Sequence, residues 1–215
     1  MSLEAIFLDV DGTLHYGDYI WERMHKLCGT WDNLGEKYLR MYRNKEIDYA
    51  EFARLDVAAW RGASEELFNH AIESMTLHSE LDEFFETCKV NNISVYLISN
   101  GVAQLAKYIV DNYNLAGYFA NEVIVKDKKL TGEISLDYGF EGKGDVVRSV
   151  LNIIGISKDN AAAVGDSIND LNMFAEVGLP IQLDVINRVL PGYTGYIAKN
   201  WQQIITKIFN DKFSK

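Results

Sequence analysis

Cysteine is scarce in this chain: Cys28 and Cys88 are the two thiols among 215 residues. Two thiols cannot build a disulfide framework, and neither stands at a metal-ligand spacing. Long hydrophobic runs are missing as well. Stretches such as Ala161–Val164 fall far short of the roughly 20 apolar residues that span a bilayer. The opening residues Met1-Ser2-Leu3-Glu4 have neither the basic segment nor the apolar stretch of a secretory leader, so a cytoplasmic protein away from membranes is expected. Positive charge is also in deficit: 21 Lys and Arg face 31 Asp and Glu, for a net charge of −10. Nucleic acids and anionic membranes require a basic surface, so neither is expected as a partner. An anionic substrate would need a site that reverses the field locally. Internal repeats, low-complexity tracts and Gly/Ser linkers are absent too.

The remainder reads as an ordinary globular chain, 48% hydrophobic and 24% charged. Its length suits one domain, or one domain carrying a sizeable insertion. Ala5-Ile6-Phe7-Leu8 is a short apolar run whose length and composition predict a strand buried on both faces. Ser94–Ser99 and Ala161–Val164 repeat the pattern, and Leu179–Leu183 is weaker, with Pro180 placing it at an edge or a strand start. Val102, Leu105, Ala106, Ile109 and Val110 share one helical face, as do Val146, Val147, Val150, Leu151 and Ile154. Strands alternating with helices predict an α/β fold, a Rossmann-like core with a mostly parallel sheet. Residues 16–78 break the alternation with helical spacing throughout. They are expected to form a small helical domain inserted after the first strand, with 1–15 and 79–215 forming the core. A hairpin is expected across Val123–Ile134, and a closing helix across Trp201–Phe213.

In an open parallel sheet, ligands bind outside the carboxyl ends of the strands. Three expected strands end there in Asp9-Val10-Asp11-Gly12-Thr13, Ser99-Asn100-Gly101 and Gly165-Asp166-Ser167, with Asn169 and Asp170 following. Lys143 precedes another helix. Any one of these segments is what a solvated turn uses; their convergence on one crevice is what argues for chemistry. Facing carboxylates call for a cation, and hard oxygens suit Mg²⁺. A carboxylate can act as a nucleophile toward phosphorus. A second one, two residues on along an extended strand, could protonate a leaving oxygen and later deprotonate water. Ser99 with the amides after it, Lys143 and the close approach allowed by Gly12 suit a phosphoryl group. Together these positive elements supply the field reversal.

These motifs, in this order, resemble the haloacid-dehalogenase-like superfamily, and within it the phosphoserine phosphatase group. The segments Tyr118–Gly132 and Ala162–Leu179 carry the second resemblance. It implies a Mg²⁺-dependent phosphatase acting on a small phosphorylated metabolite through an aspartyl phosphate. Asp9 would be nucleophile and metal ligand. Asp11 would be the acid/base and would give its carbonyl to the metal. Ser99, Asn100, Gly101, Gly12 and Lys143 would hold the phosphoryl group. Asp166 would complete the metal site, Asp170 would position Lys143 or a metal-bound water, and Asn169 and Thr13 would play supporting parts. The helical insertion would be a cap.

The resemblance breaks in the cap. Phosphoserine phosphatases usually carry an early Glu and a later Arg for the substrate's ammonium and carboxylate. Asp18 and Asp56 stand at those places here, with Arg54 and Arg61 nearby as possible replacements. An Asp in the Arg position would repel a carboxylate, so L-phosphoserine is not expected to be the best substrate. The alternatives are a phosphoserine phosphatase proper, a phosphomutase or phosphotransferase, and a phospho-accepting regulatory switch, which the acid/base Asp11 argues against. The histidines His15, His25, His70 and His78 show no ligand spacing, and surface or packing roles are expected for them. Nothing in the sequence indicates an oligomeric state.

Overall fold

The computed structural model describes residues 3–17, 19–138, 142–185 and 187–210. Among these described residues, seven strands form one sheet in the order β4-β3-β2-β1-β5-β6-β7. They are β1 (Ala5–Leu8), β2 (Ser94–Val102), β3 (Gly117–Lys126), β4 (Lys129–Ser135), β5 (Ala161–Gly165), β6 (Leu179–Leu183) and β7 (Tyr196–Ala198). All neighbours run parallel except β3 and β4, which form the expected antiparallel hairpin. β1 lies at the centre. Ile6 and Leu8 belong to one apolar layer and Ala5 and Phe7 to the other, all fully buried. This two-sided burial is what a continuous apolar run requires. The second layer is closed by α7 (Lys143–Ile154) and α8 (Leu171–Phe174); α5 (Leu81–Val90), α6 (Ala103–Tyr113) and α9 (Trp201–Ile205) contribute to the first.

β6 is an inner strand, because the short β7 pairs with it from Ile181 onward, and Pro180 stands at its start, one of the two places expected for it. Two details differ from the expected pattern. β2 runs on to Val102 instead of stopping at Ser99. Ile98 pairs with Phe119 and Val102 with Asn121, so four steps on β2 match two on β3, and Ser99-Asn100-Gly101 forms a bulge between them. The closing helix is α9 followed by a π-helical turn, Thr206–Asn210; the expected residues 211–213 lie outside the described residues.

Between β1 and α5 the chain forms α1 (Ile20–Leu27), α2 (Glu36–Arg43), α3 (Tyr49–Ala59) and α4 (Glu65–Glu73). Asp48 caps α3 and Ser64 caps α4, each accepting a backbone N–H, from Glu51 at 2.8 Å and from Leu67 at 3.1 Å. The chain leaves and re-enters the core side by side. His15 bridges Leu77, the Tyr16 amide donates to the Thr76 carbonyl at 3.3 Å, and the His78 amide to that of Leu14 at 3.0 Å. A further connection joins the α3–α4 turn to the β3–β4 hairpin. The amides of Gly62 and Glu65 donate to the carbonyls of Leu130 and Lys128 at 2.8 and 2.9 Å, and the Leu130 amide donates to the Ala63 carbonyl at 2.9 Å.

Candidate active site

The carboxyl ends of β1, β2 and β5 meet the start of α7. β1 stops at Leu8, and the Asp9 amide makes one more ladder bond, to the Val164 carbonyl at 2.9 Å. The chain then turns. Thr13 and Leu14 donate their amides to the Val10 carbonyl, and Gly12 adopts φ +86°. A Cβ on Gly12 would lie 2.7 Å from Asp166 Oδ2, so glycine serves here both the left-handed turn and the close passage of that carboxylate. Asp11 therefore opens a turn and does not follow Asp9 along an extended strand. The two carboxylates part, Asp9 toward Lys143 and Asp11 toward His15. The indole N–H of Trp201 pins the turn from behind, donating to the Thr13 carbonyl at 2.9 Å.

Lys143, the first residue of α7, is buried and donates to Asp9 Oδ1 at 2.5 Å and Asp170 Oδ1 at 2.6 Å. Asp170 spends its other oxygen on the turn after β5, accepting from the Asp166 and Ser167 amides at 3.1 and 2.9 Å and from the Ser167 hydroxyl at 3.2 Å. Thr13 Oγ1 lies 3.1 Å from Asp9 Oδ2 and 3.3 Å from Asp166 Oδ1, within donating distance of both. One oxygen from each of Asp9, Asp166 and Asp170 falls within 4.8 Å of the others. Three carboxylates against one lysine leave the cluster short of positive charge. Burial pushes the Asp9 carboxyl from 3.8 up to about 7 against the pull of Lys143. Burial, then the charge of Asp9, pushes Asp166 up to about 8. Asp170 and Asp9 hold Lys143 above its ordinary value although burial alone would lower it. An all-oxygen donor set that is one cation short fits a hard divalent metal.

The bulge after Ile98 supplies the facing wall. Ser99 Oγ accepts the Gly101 amide at 2.8 Å, which leaves its own proton available. A Cβ on Gly101 would lie 2.2 Å from Asp11 Oδ2, so only glycine lets the bulge and the turn approach this closely. The bulge is braced from β3: Asn121 is buried, donates to the carbonyls of Asn100 and Tyr138 at 3.0 and 3.2 Å, and accepts the Tyr138 amide at 3.0 Å. From the helical insertion, the Tyr49 hydroxyl donates to the Asn100 carbonyl. Tyr19 stands over the carboxylates; burial, then the charges of Asp166, Asp11 and Asp9, push its phenol up to about 12.

A model of the haloacid dehalogenase-like hydrolases matches residues 6–175. The chain belongs to that family. Among its haloacid dehalogenase-like relatives, phosphoserine phosphatase from Methanocaldococcus jannaschii is 28% identical over 83% of this chain and 84% of its own length. That from Wolinella succinogenes is 28% identical over 79% and 82%. A phospho-aspartyl intermediate analogue of phosphoserine phosphatase superposes with a TM-score of 0.84 at 24% identity, covering 97% of this chain and all of that one. A hydrolase from Salmonella enterica gives 0.89 at 19% identity, covering 98% and 73%. At such identities these two establish the fold. The chain is a phosphoserine phosphatase-like member of the family, and the expected enzyme class, a phosphoric monoester hydrolase, agrees with these matches.

The haloacid dehalogenase-like motif residues come together beyond the carboxyl ends of β1, β2 and β5: Lys143 joins Asp9 and Asp170, Thr13 reaches Asp9 and Asp166, Gly12 lies against Asp166 and Gly101 against Asp11 and Ser99, with Asn169 half-buried in the turn after β5. Of the residues named for substrate choice, Arg54, Asp56 and Arg61 do not join them. Asp56 is 1% exposed and turned inward, its Oδ1 3.0 Å from His25 Nε2, while His25 Nδ1 lies 2.7 Å from the Thr30 hydroxyl. Arg54 is exposed, and Arg61 lies across Gly132 of β4. Asp18 lies outside the described residues. Tyr49 and Asn121 were not singled out in the sequence, and His15, expected only at the surface or in packing, is buried with its Nε2 2.9 Å from Asp11 Oδ1.

Proposed function

We propose that the chain is a Mg²⁺-dependent phosphatase of a small phosphate monoester. The observation that carries this reading is Lys143 bridging Asp9 and Asp170 beside Asp166. Asp9, Asp166 and the Asp11 carbonyl would hold Mg²⁺, whose charge, when it is bound, keeps Asp9 ionised and offsets that of the phosphoryl group. An oxygen of Asp9 attacks phosphorus while Asp11 gives its proton to the departing alkoxide. Asp11 then takes a proton from water, which attacks the phosphorus of the aspartyl phosphate and restores Asp9. Ser99 and Lys143 donate to the phosphoryl oxygens, and Asp170 keeps Lys143 aimed. Residues 16–78 form the cap, and the substrate enters beneath Tyr19 and Tyr49. Action in the cytoplasm is part of the same proposal.

L-Phosphoserine is not the preferred substrate on this reading. Its carboxylate needs a cation in the pocket, where Arg serves as a planar fork. Asp56 is engaged with His25, and Arg61 lies on the hairpin. Release of phosphate from a panel of phosphorylated metabolites in Mg²⁺, by wild type and by Asp9→Asn, tests both statements. Activity surviving in Asp9→Asn overturns the mechanism. A clear preference for phosphoserine overturns the substrate reading.

A further inference from the structure

We propose that His15 is a positioning residue for the acid/base: it grips one oxygen of Asp11 so that the other faces the phosphoryl pocket. This rests on the reading of Asp11 given above. The two oxygens of Asp11 have different surroundings. Oδ1 lies 2.9 Å from His15 Nε2. Oδ2 lies 2.2 Å from the point where a Cβ on Gly101 would stand, and that same point is 3.0 Å from Ser99 Oγ. Oδ2 thus lies on the wall that Ser99 contributes, beside the hydroxyl proposed above to hold a phosphoryl oxygen. A carboxylate swings about its own side-chain torsions unless something fixes it. Here the fixing group is a ring that is itself held.

His15 is 2% exposed. Its backbone bridges Leu77, and its ring meets that of Tyr19 edge-on with centroids 5.9 Å apart. Nδ1 is buried and has no hydrogen-bond partner among the described residues. A proton there would have no acceptor, whereas a proton on Nε2 meets Asp11. The ring therefore offers Asp11 a donor from a fixed direction. Its position also ties the aim of Asp11 to the two chain crossings, since Leu14–Tyr16 and Thr76–His78 are hydrogen-bonded around it.

The test compares kcat/KM, which reports the first chemical step, for phenyl phosphate and p-nitrophenyl phosphate. The p-nitrophenolate leaves with little help from an acid; the phenolate needs it more. General acids contribute about 10²–10⁴-fold, so misaiming this one in His15→Leu should cost about tenfold or more on phenyl phosphate. The loss on p-nitrophenyl phosphate should be clearly smaller. His15→Gln, which carries an amide donor at a similar reach, should recover most of it. In an Asp11→Asn background, His15→Leu should cost nothing further, since the two residues act as one. Equal losses on both esters, or an undiminished loss in Asp11→Asn, overturn the assignment. Should His15→Leu fail to fold, His15→Gln against the shorter His15→Asn is read by the same two criteria. Wild type that hydrolyses neither ester in Mg²⁺, or Asp9→Asn that stays active, overturns the reading of the site and this assignment with it. Activity lost in Asp9→Asn, with His15 losses uniform across both esters, overturns the His15 assignment alone.

Discussion

Stripping divalent cations from this protein should make its stability fall as pH rises from about 4 to about 8. The folded Asp9 and Asp166 carboxyls titrate near 7 and 8, whereas in the unfolded chain both return to about 3.8. Between these limits the fold holds protons that the unfolded chain has released. Unfolding therefore becomes easier with each pH unit. Two protons correspond to a slope of about 2.7 kcal/mol per pH unit at most, a large fraction of a total stability of about 5–15 kcal/mol. Asp56, raised by burial against the pull of His25, acts in the same direction. His78, lowered mainly by burial, opposes weakly below its ordinary value of 6.5. The raised Lys143 contributes fully below its ordinary value of 10.5, so its contribution is constant across the window. Mg²⁺ competes with the protons for the ionised carboxylates, so the stability it returns should grow with pH. Urea unfolding followed by circular dichroism, at intervals from about pH 5 to about pH 8 in EDTA and in excess MgCl₂, measures both trends. Asp166→Asn removes one of the two protons and should flatten the EDTA slope toward about 1.4 kcal/mol per unit. A metal-free midpoint that stays level or rises, or a Mg²⁺ increment independent of pH, would refute the reasoning.

Lys143→Met leaves buried carboxylates without their cation and should cost about 3–5 kcal/mol in metal-free protein, with the larger loss toward alkaline pH. Its unfolding midpoint in urea checks this. Asp11→Asn should damage turnover of alkyl phosphates more than of p-nitrophenyl phosphate, because an alkoxide depends on a general acid and a nitrophenolate hardly does. Comparable losses on both substrates would remove the acid role. Fluoroberyllate, which mimics the aspartyl phosphate, should change hydrogen exchange at the crossings around Leu14–Tyr16 and Met75–His78. The Gly62 and Leu130 amides, bonded between insertion and hairpin, should stay protected throughout. Loss of their protection on binding would mean that the two parts separate as the site closes.

The core strands and the order of the motifs were legible because burial on both faces leaves short apolar runs, and parallel topology places the residues that end them at one edge. β7 escaped because it has three residues and no pattern of its own. The first half of β3 escaped because its polar Asn121 looks like a loop residue until the carbonyls of Asn100 and Tyr138 are seen to need it. The bulge at Ser99-Asn100-Gly101 depends on the register against β3, which no single segment encodes. Substrate choice was the least legible. Asp56 sits where the resemblance puts a pocket residue, but helix α3 turns it toward His25. Which face a helix buries depends on partners far off in sequence. Asp18 lies outside the described residues.

The main-chain bonds between residues 62–65 and 128–130 bear on how new specificities could be made in this scaffold. Exchanging residues 16–78 for those of a relative looks like a simple graft, since two covalent junctions lie side by side at His15 and Leu77. The hairpin makes it a three-point graft. A foreign insertion would arrive with a turn unmatched to Lys128 and Leu130, leaving exposed edge groups on both sides. A chimera that carries its own β3–β4 hairpin along should express and fold where the bare exchange aggregates. In this protein, then, the exchangeable module is discontinuous in sequence, a helical segment together with a strand pair that follows it about forty residues later.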